Sequence, residues 1–196
     1  MTKETHNALY HMDTLSDEEL TVQFRNGHLN AGAKLYTKHK DTIYSFCFRM
    51  VGDAEAAKDA TQETFLKMMT KIHSLQQGMA FRSWLFAIAR NEVLIVLRRE
   101  KIVPMERLED DEPVFDASNP LSIALEGELS EHLQRAVGAL KPAYREAYLL
   151  RETEGLSYEE IARTTDSTVS AVKSKLFKSR VALNTMLTPY MERRKL

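Results

Sequence analysis

The sequence predicts an all-α protein of two small helical domains joined by an acidic, flexible linker. Apolar residues recur at helical spacing in both halves of the 196-residue chain. Its seven glycines and five prolines fall where helices should begin or end. No run of alternating β-branched residues lies between turn signals, which argues against strands. We expect an N-terminal tail at 1–15, a first domain at 16–103, the linker at 104–120 and a second domain at 121–196.

Helix signals in the first domain predict a bundle of four helices. Ser16 and Glu19 form a capping box that opens a short first helix. Three longer helices are predicted over about 30–51, 53–75 and 81–99, joined by short connections. The third of the four helices is expected to bury its apolar residues, namely Ala60, Phe65, Leu66, Met69 and Ile72.

The second domain follows a segment of different composition. Residues 104–120 contain three prolines and six acidic residues with little periodicity, as expected for a linker. Ser157 and Glu160 form a second capping box. Helices are predicted at about 120–140, 142–154, 157–164 and 168–188. The last one should stop before Pro189, because proline lacks the backbone N–H that continues a helix.

Composition excludes several classes of protein. No apolar stretch approaches the ~18 residues of a transmembrane helix, and the N-terminus lacks the apolar segment of a signal peptide. We therefore expect a cytoplasmic protein with no membrane insertion. Cys47 is the only cysteine and should be a buried, inert thiol, and Trp84 should lie in the core. The six histidines show no metal-ligand spacing, so no metal, cofactor or enzymatic activity is expected.

Charge is distributed unevenly along the chain, although its net value is only −1. Residues 1–103 carry 14 basic and 12 acidic groups, residues 104–132 carry one and nine, and residues 133–196 carry 12 and seven. A basic second domain favours a nucleic-acid partner. The acidic linker has two interpretations. Its carboxylates imitate nucleic-acid charge in a basic channel, or they only keep the linker extended and soluble.

Residues 156–183 have the spacing of a helix-turn-helix. A short capped helix with Ile161 and Ala162 facing inward is followed by a turn and a longer helix. The longer helix is expected to bury Val169, Val172 and Leu176. Its opposite face is polar and mostly basic, with Ser170, Lys173, Ser174, Lys175, Lys178, Ser179 and Arg180. Such a face either binds DNA phosphates and base edges or is simply solvated.

Further motifs lie in the first domain. Residues 53–65 read DAEAAKDATQETF. This spacing places four polar side chains on one helix face, namely Glu55, Asp59, Gln62 and Glu63. Residues 81–91 read FRSWLFAIARN, and a basic cluster follows at 98–101. Taken alone, the polar stripe would be an ordinary solvated face.

With LSYEEIA at 156–162 and the helix-turn-helix, these motifs resemble the extracytoplasmic-function (ECF) group of bacterial RNA polymerase sigma factors. The resemblance covers about 17–101 and 130–188, in the family's order. It implies a transcription initiation factor that binds core RNA polymerase, recognises the −35 duplex, and melts and captures the −10 element. It also implies three partners: the β′ clamp of the polymerase, promoter DNA and an anti-sigma factor.

The resemblance further implies which residues of the first domain carry these roles. The residues expected to bind the polymerase clamp are Asp53, Glu55, Asp59, Gln62, Glu63 and Phe65. The residues expected to hold −10 DNA are Arg82, Arg90, Asn91, Arg98, Arg99 and Lys101. The loop at 76–80 is expected to form a wall of the pocket for a flipped base.

The residues expected to contact −35 DNA are Ser170, Lys173, Ser174, Lys175, Phe177, Lys178 and Arg180. Lys173 and Lys178 stand where the family commonly has arginine. Lysine binds phosphate as a point charge and lacks the bidentate fork that reads guanine, so contact with bases and contact with phosphates both remain open. Thr165 and Ser167 occupy usually apolar positions of the turn, where Asp166 is expected to take the left-handed conformation.

A free-standing dimeric helix-turn-helix regulator is the alternative. It would bind a palindrome whose half-sites lie about one helical turn apart. The sequence shows no coiled-coil heptads that would build such a dimer. A helical-bundle hydrolase or metalloprotein would need convergent histidines and carboxylates, which the sequence does not offer.

Overall fold

The computed structural model describes residues 15–76, 80–99 and 128–193. Its helices are α1 (Asp17–Arg25), α2 (Leu29–Val51), α3 (Ala54–Lys71), α4 (Phe81–Arg99), α5 (Glu128–Gly138), α6 (Pro142–Tyr148), α7 (Tyr158–Thr164) and α8 (Val169–Arg193). These described ranges contain helices and turns but no strand, which confirms the all-α prediction. Most of the predicted tail, the linker at 104–120, Lys101 and positions 77–79 of the pocket loop lie outside the described residues.

The ends of the first helices are fixed by local hydrogen bonds. The Oγ of Ser16 accepts the Glu19 backbone N–H at 3.2 Å, and the Glu19 carboxylate accepts the Ser16 N–H at 2.8 Å. This reciprocal pair confirms the predicted capping box. Asp53 caps α3 by accepting the N–H of Ala56 at 2.8 Å. Gly52 ends α2 with φ +82°, a conformation that costs glycine little.

Helices α1 to α4 form one bundle around an aromatic and aliphatic core. Phe46 of α2 and Phe86 of α4 meet edge to face, with ring centroids 5.3 Å apart. Trp84 is buried in the core, as predicted. Cys47 is fully buried, and burial raises the pKa of its thiol to about 12. The thiol is therefore inert at neutral pH, as the sequence predicts.

Five apolar residues along 53–75 were predicted to be buried, and the prediction is wrong for two of them. Ala60, Phe65 and the following Ile72 are buried, whereas Leu66 and Met69 are 51% and 46% exposed. The reason is helical geometry, because residues one position after Phe65 and Met68 are rotated by about 100° from the face that meets α2 and α4.

Helices α5 to α8 form the second domain. Leu149 and Leu150 lie in a π turn (Leu149–Thr153) that extends α6, and they are buried with Ile161. Ser157 and Glu160 form the predicted capping box of α7. The helix-turn-helix is thus present, with α7 and α8 as its two helices.

The longer helix of this motif differs from prediction at three points. Val172 and Leu176 are buried as predicted, but Val169 is only half-buried. Ser179 is fully buried rather than on the polar face, because its hydroxyl donates to the Leu176 carbonyl at 2.8 Å and loses no hydrogen bond inside the domain. Helix α8 also runs past Pro189 to Arg193. A proline removes one backbone hydrogen bond, and here the helix continues for one more turn regardless.

The two domains are in direct contact through α4 and α7 and through α2 and α6. Arg145 of α6 is buried and donates to the carbonyl of Met50 at the end of α2, at 2.7 Å. It also donates to the carbonyls of Gly138 and Leu140 in its own domain. The hydroxyl of Thr164 donates to the Ser83 carbonyl at 3.1 Å. The hydrophobic core therefore continues from one domain into the other.

Replacing Gly32 by alanine should destabilise the first domain. A Cβ at this position would lie 2.7 Å from the Cε2 atom of Phe24, whose ring is buried. Overpacking costs about 1–3 kcal/mol, which exceeds the ~1 kcal/mol that alanine gains over glycine inside a helix. We expect Gly32→Ala to lower the free energy of unfolding in urea, and Asn30→Ala, at an exposed position of α2, to change it little. An equal effect of the two variants would contradict the overpacking argument.

Candidate functional site

An apolar groove runs between α2 and α3 on the surface of the first domain. Its volume is about 600 Å³. Its lining includes Tyr36, Tyr44, Gln62, Phe65, Leu66 and Met69, and we call these six residues the groove surface. Leu29, at one end, is 71% exposed. Soluble proteins rarely leave this many large apolar side chains together in water, so the groove is a candidate docking site.

Two of the six predicted clamp-binding residues lie in this groove. Gln62 is exposed at its edge, and Phe65 is buried beneath it with its ring edge to face against Tyr36 at 4.8 Å. Asp53 serves as the N-cap of α3, so its carboxylate is already engaged. The remaining three are exposed on α3 outside the groove lining, namely Glu55, Asp59 and Glu63.

Sequence reasoning missed the residues that make the groove apolar. Leu66 and Met69 were expected in the core, and Tyr36 and Tyr44 were not singled out. A signal was present, because α3 carries more apolar residues than one helical stripe can bury. Two adjacent apolar pairs, Phe65–Leu66 and Met68–Met69, must each expose one member.

Helix α4 exposes the second half of the predicted −10 set. Asn91, Arg98 and Arg99 are all exposed on this helix. The neighbouring Glu92 is buried and accepts a hydrogen bond from Lys67 of α3 at 2.6 Å. This ion pair ties α4 to α3 next to Asn91, so the Asn91 amide is displayed from a rigid element.

Helix α4 turns the other two described arginines of the −10 set toward the second domain. The Nε of Arg90 donates to the Glu146 carboxylate at 2.7 Å, and both side chains are largely buried. A terminal nitrogen of Arg82 donates to the Glu154 carboxylate at 3.1 Å. Burial raises the pKa of both carboxyl groups, while the arginines act in the opposite direction by favouring the charged forms.

The polar face of α8 is open over most of its length. Ser170, Lys173 and Ser174 are exposed, and Phe177 is 68% exposed in the middle of the face. Lys175 and Lys178 are half-buried. All seven predicted −35 residues are therefore on one helix, and the structure brings most of them to one surface.

Three of these cations also make contacts within the domain. Arg180 donates to Glu152 at 2.6 Å. The Lys173 ammonium lies 5.8 Å from the ring centre of Tyr158, and that of Lys178 lies 5.9 Å from Tyr144. Contacts of this kind orient long side chains before a ligand arrives.

The turn before α8 accommodates the unusual residues noted in the sequence. Asp166 has φ +50°, which confirms the predicted left-handed conformation. Thr165 is buried, and its hydroxyl donates to the Ile161 carbonyl at 2.8 Å. The same hydroxyl lies 2.8 Å from the Ser167 hydroxyl. Hydrogen bonds therefore replace the apolar packing that other residues would supply here.

Comparison with known proteins identifies both halves of the chain. A family model of sigma-70 region 2 matches residues 35–102, and a model of sigma-70 region 4 matches residues 130–183. The ECF RNA polymerase sigma-E factor of Salmonella typhimurium is 30% identical over 190 residues, which make up 92% of this chain and 99% of that protein. The chain belongs to the ECF RNA polymerase sigma factors. A second relative, the ECF RNA polymerase sigma factor SigE of Mycolicibacterium smegmatis, is 34% identical over 159 residues. That match covers 80% of this chain and 62% of the relative.

Two solved structures share the fold. The sigma factor RpoE of Bartonella quintana, crystallised with the anti-sigma factor NepR, has a TM-score of 0.62 and 23% identity. The alignment covers 80% of this chain and 96% of that one. CnrH, in complex with the cytosolic domain of CnrY, has a TM-score of 0.67 and 21% identity over 88% of this chain and 97% of its own.

These findings establish the function as that of an RNA polymerase sigma factor. They do not favour the alternative of a free-standing dimeric regulator. Within the described ranges, no helix of this sigma factor is long and apolar enough to cross a membrane. No three metal-binding side chains come together in the same ranges.

Proposed function

We propose that this sigma factor docks on core RNA polymerase through the groove surface, with a helical coiled coil of the β′ clamp as the partner. The observation that carries the proposal is the groove itself. Its exposed Leu66 and Met69 stand on α3 beside the exposed carboxylates of Glu55, Asp59 and Glu63. An apolar centre with a charged edge is the usual anatomy of a protein interface.

The exposed carboxylates of α3 suit a basic partner. Glu55, Asp59 and Glu63 are exposed and do not line the groove, whereas Lys58 lines it and lies 3.9 Å from the Glu55 carboxylate. Charges in this position raise association rates and set orientation, whereas the apolar centre supplies most of the affinity. Gln62 at the edge offers both a donor and an acceptor to a partner helix.

For −10 recognition we infer that Asn91 is the base-reading group. Its exposed amide can donate to and accept from the edge of a flipped base, and Arg98 and Arg99 lie further along the same helix for the phosphates. Arg82, Arg90 and Lys101 complete the proposed cationic track. Arg82 and Arg90 are each paired with a glutamate in the present structure, so their role in DNA binding requires that those ion pairs open.

For −35 recognition we infer that α8 enters the major groove of the duplex. Ser170, Lys173 and Ser174 stand near the N-terminal end of the helix, where dipole and hydroxyls favour phosphate. Phe177 lies one turn further along and is suited to the methyl group of thymine. Lys175, Lys178 and Arg180 belong to the same proposed surface.

An anti-sigma factor is the proposed regulatory partner. One solved structure described above, that of RpoE from Bartonella quintana, is in complex with an anti-sigma factor. The exposed groove surface and the exposed face of α8 are the surfaces that an inhibitor of this chain would cover. An inhibitor bound to either surface would compete directly with polymerase or with promoter DNA.

Substitutions in the groove should strongly weaken polymerase binding. We expect Leu66→Glu with Met69→Glu to reduce affinity for bacterial core RNA polymerase by at least about a hundredfold, because central apolar anchors dominate interface energy. Charge reversal of Glu55, Asp59 and Glu63 to lysine should weaken it further at low salt. The measurement is co-elution from a sizing column, followed by titration.

The control variant for this experiment is Val22→Glu. Val22 is 56% exposed on α1, outside the groove, so the variant adds an equivalent charge elsewhere on the same domain. It should bind core polymerase as the wild type does. If the groove variants bind normally, or if the wild-type chain elutes alone as a dimer, docking through this groove is refuted.

Asn91→Ala should impair promoter opening without impairing polymerase binding. The probe is a promoter selected by the wild-type holoenzyme from a randomised DNA library, with open complex measured by permanganate reactivity. Loss of a bidentate base contact costs about 1–3 kcal/mol, so we expect an approximately tenfold decrease in open complex. Loss of core binding instead would contradict the assigned role.

Lys173→Ala and Phe177→Ala should have different effects on duplex binding. If Lys173 contacts phosphate, its removal should reduce the slope of log affinity against log salt by about one. Removal of Phe177 should leave the slope unchanged and reduce discrimination between the selected promoter and random duplex. Lys71→Ala, at an exposed position of α3 outside the groove, is the control. If neither the salt dependence nor the discrimination changes, this face of α8 is an ordinary solvated surface.

A further inference from the structure

Two cations of the proposed −10 track are bound by carboxylates of the chain's own second domain. Arg90 is bound by Glu146 at 2.7 Å and Arg82 by Glu154 at 3.1 Å. Both glutamates are at least 96% buried, and burial without these arginines would leave a carboxylate unpaired. A carboxylate and a DNA phosphate offer a guanidinium the same pair of acceptor oxygens.

Further hydrogen bonds join the two domains around these two ion pairs. The Thr164 hydroxyl donates to the carbonyl of Ser83, between the two arginines on α4, and both residues are buried. Arg145 inserts between the domains and donates to the Met50 carbonyl. Its side chain is buried, and burial lowers the pKa of this arginine to about 10.

The other proposed surfaces remain accessible while the domains are in contact. Leu66 and Met69 of the groove surface, Asn91, and most of the α8 face are exposed in this arrangement. Arg90 is thus largely covered and Arg82 is held by Glu154 with 39% of its side chain still exposed, whereas the surfaces for polymerase docking and duplex binding remain accessible. The arrangement blocks one step of promoter recognition selectively.

We propose that the free chain holds itself in a closed state in which Glu146 and Glu154 occupy the phosphate positions of the −10 strand. The proposal rests on the −10 assignment made above. In the closed state, single-stranded DNA competes with the second domain for Arg82 and Arg90. Binding of the strand requires α7 to leave α4, and a polymerase that binds only the open form drives that step by its differential affinity.

The test combines the radius of gyration from small-angle X-ray scattering with binding of a fluorescein-labelled, mixed-sequence single strand. The key variant is Glu146→Gln with Glu154→Gln. Its control is Glu159→Gln with Asp166→Asn, which removes two exposed acids from the same domain outside the interface. Far-UV circular dichroism checks that each variant is folded.

We expect the key variant to expand and to bind the single strand about tenfold more tightly than the control, because breaking buried pairs shifts the equilibrium toward the open form. Thr164→Val keeps shape and charge but removes an interdomain hydrogen bond, so it should shift both quantities in the same direction by a smaller amount. This second variant tests the proposal even if the first is unstable.

Two results would overturn the proposal. One is a key variant with the radius and affinity of the control, which would mean that these pairs do not hold the domains together. The other is an expanded variant with no gain in affinity. In that case Asn91→Ala in the expanded background separates the causes. If it weakens single-strand binding, the −10 assignment stands and only the closed state fails; if it does not, both fail.

Discussion

Burial of helix α4 from two sides is the constraint on which the rest of the structure depends. Trp84 and Phe86 project about 200° apart around this helix and both are buried, and α4 also contacts α7. Arg90 is largely buried there and pairs with the buried Glu146, and removing one partner of such a pair typically costs about 3–5 kcal/mol. Arg82 keeps 39% of its side chain exposed, but its partner Glu154 is buried and would be left unpaired without it.

Much of the fold could be predicted from sequence because its boundaries are set locally. The capping boxes at Ser16 and Ser157 depend on residues three positions apart, and both are present. The predicted span of α4, from Phe81 to about Arg99, agrees with the structure, and the left-handed Asp166 followed from the resemblance to the family's turn. The ordered motifs of two domains were enough to predict the family.

The predictions failed where contacts with distant parts of the chain determine which side chains are buried or paired. Leu66 and Met69 are apolar and helical, but a second apolar stripe on α3 had no partner helix to bury it. Ser179 was placed among solvated residues because a hydroxyl is polar, although a bond to the preceding turn satisfies it inside the domain. The contact between the domains could not be inferred, because the residue spacing in α4 does not indicate which acidic residues pair with its arginines.

The chain's sulfur atoms differ in how they would meet oxidants. The thiol of Cys47 is buried, and its raised pKa keeps it protonated, so it lacks the nucleophilic thiolate that peroxide attacks. The Met69 residue is 46% exposed in the groove. Oxidation would convert it to a polar sulfoxide at the centre of an apolar surface. Oxidative damage would thus reach the proposed polymerase-docking groove before the thiol, and methionine sulfoxide reductases would be the route of repair.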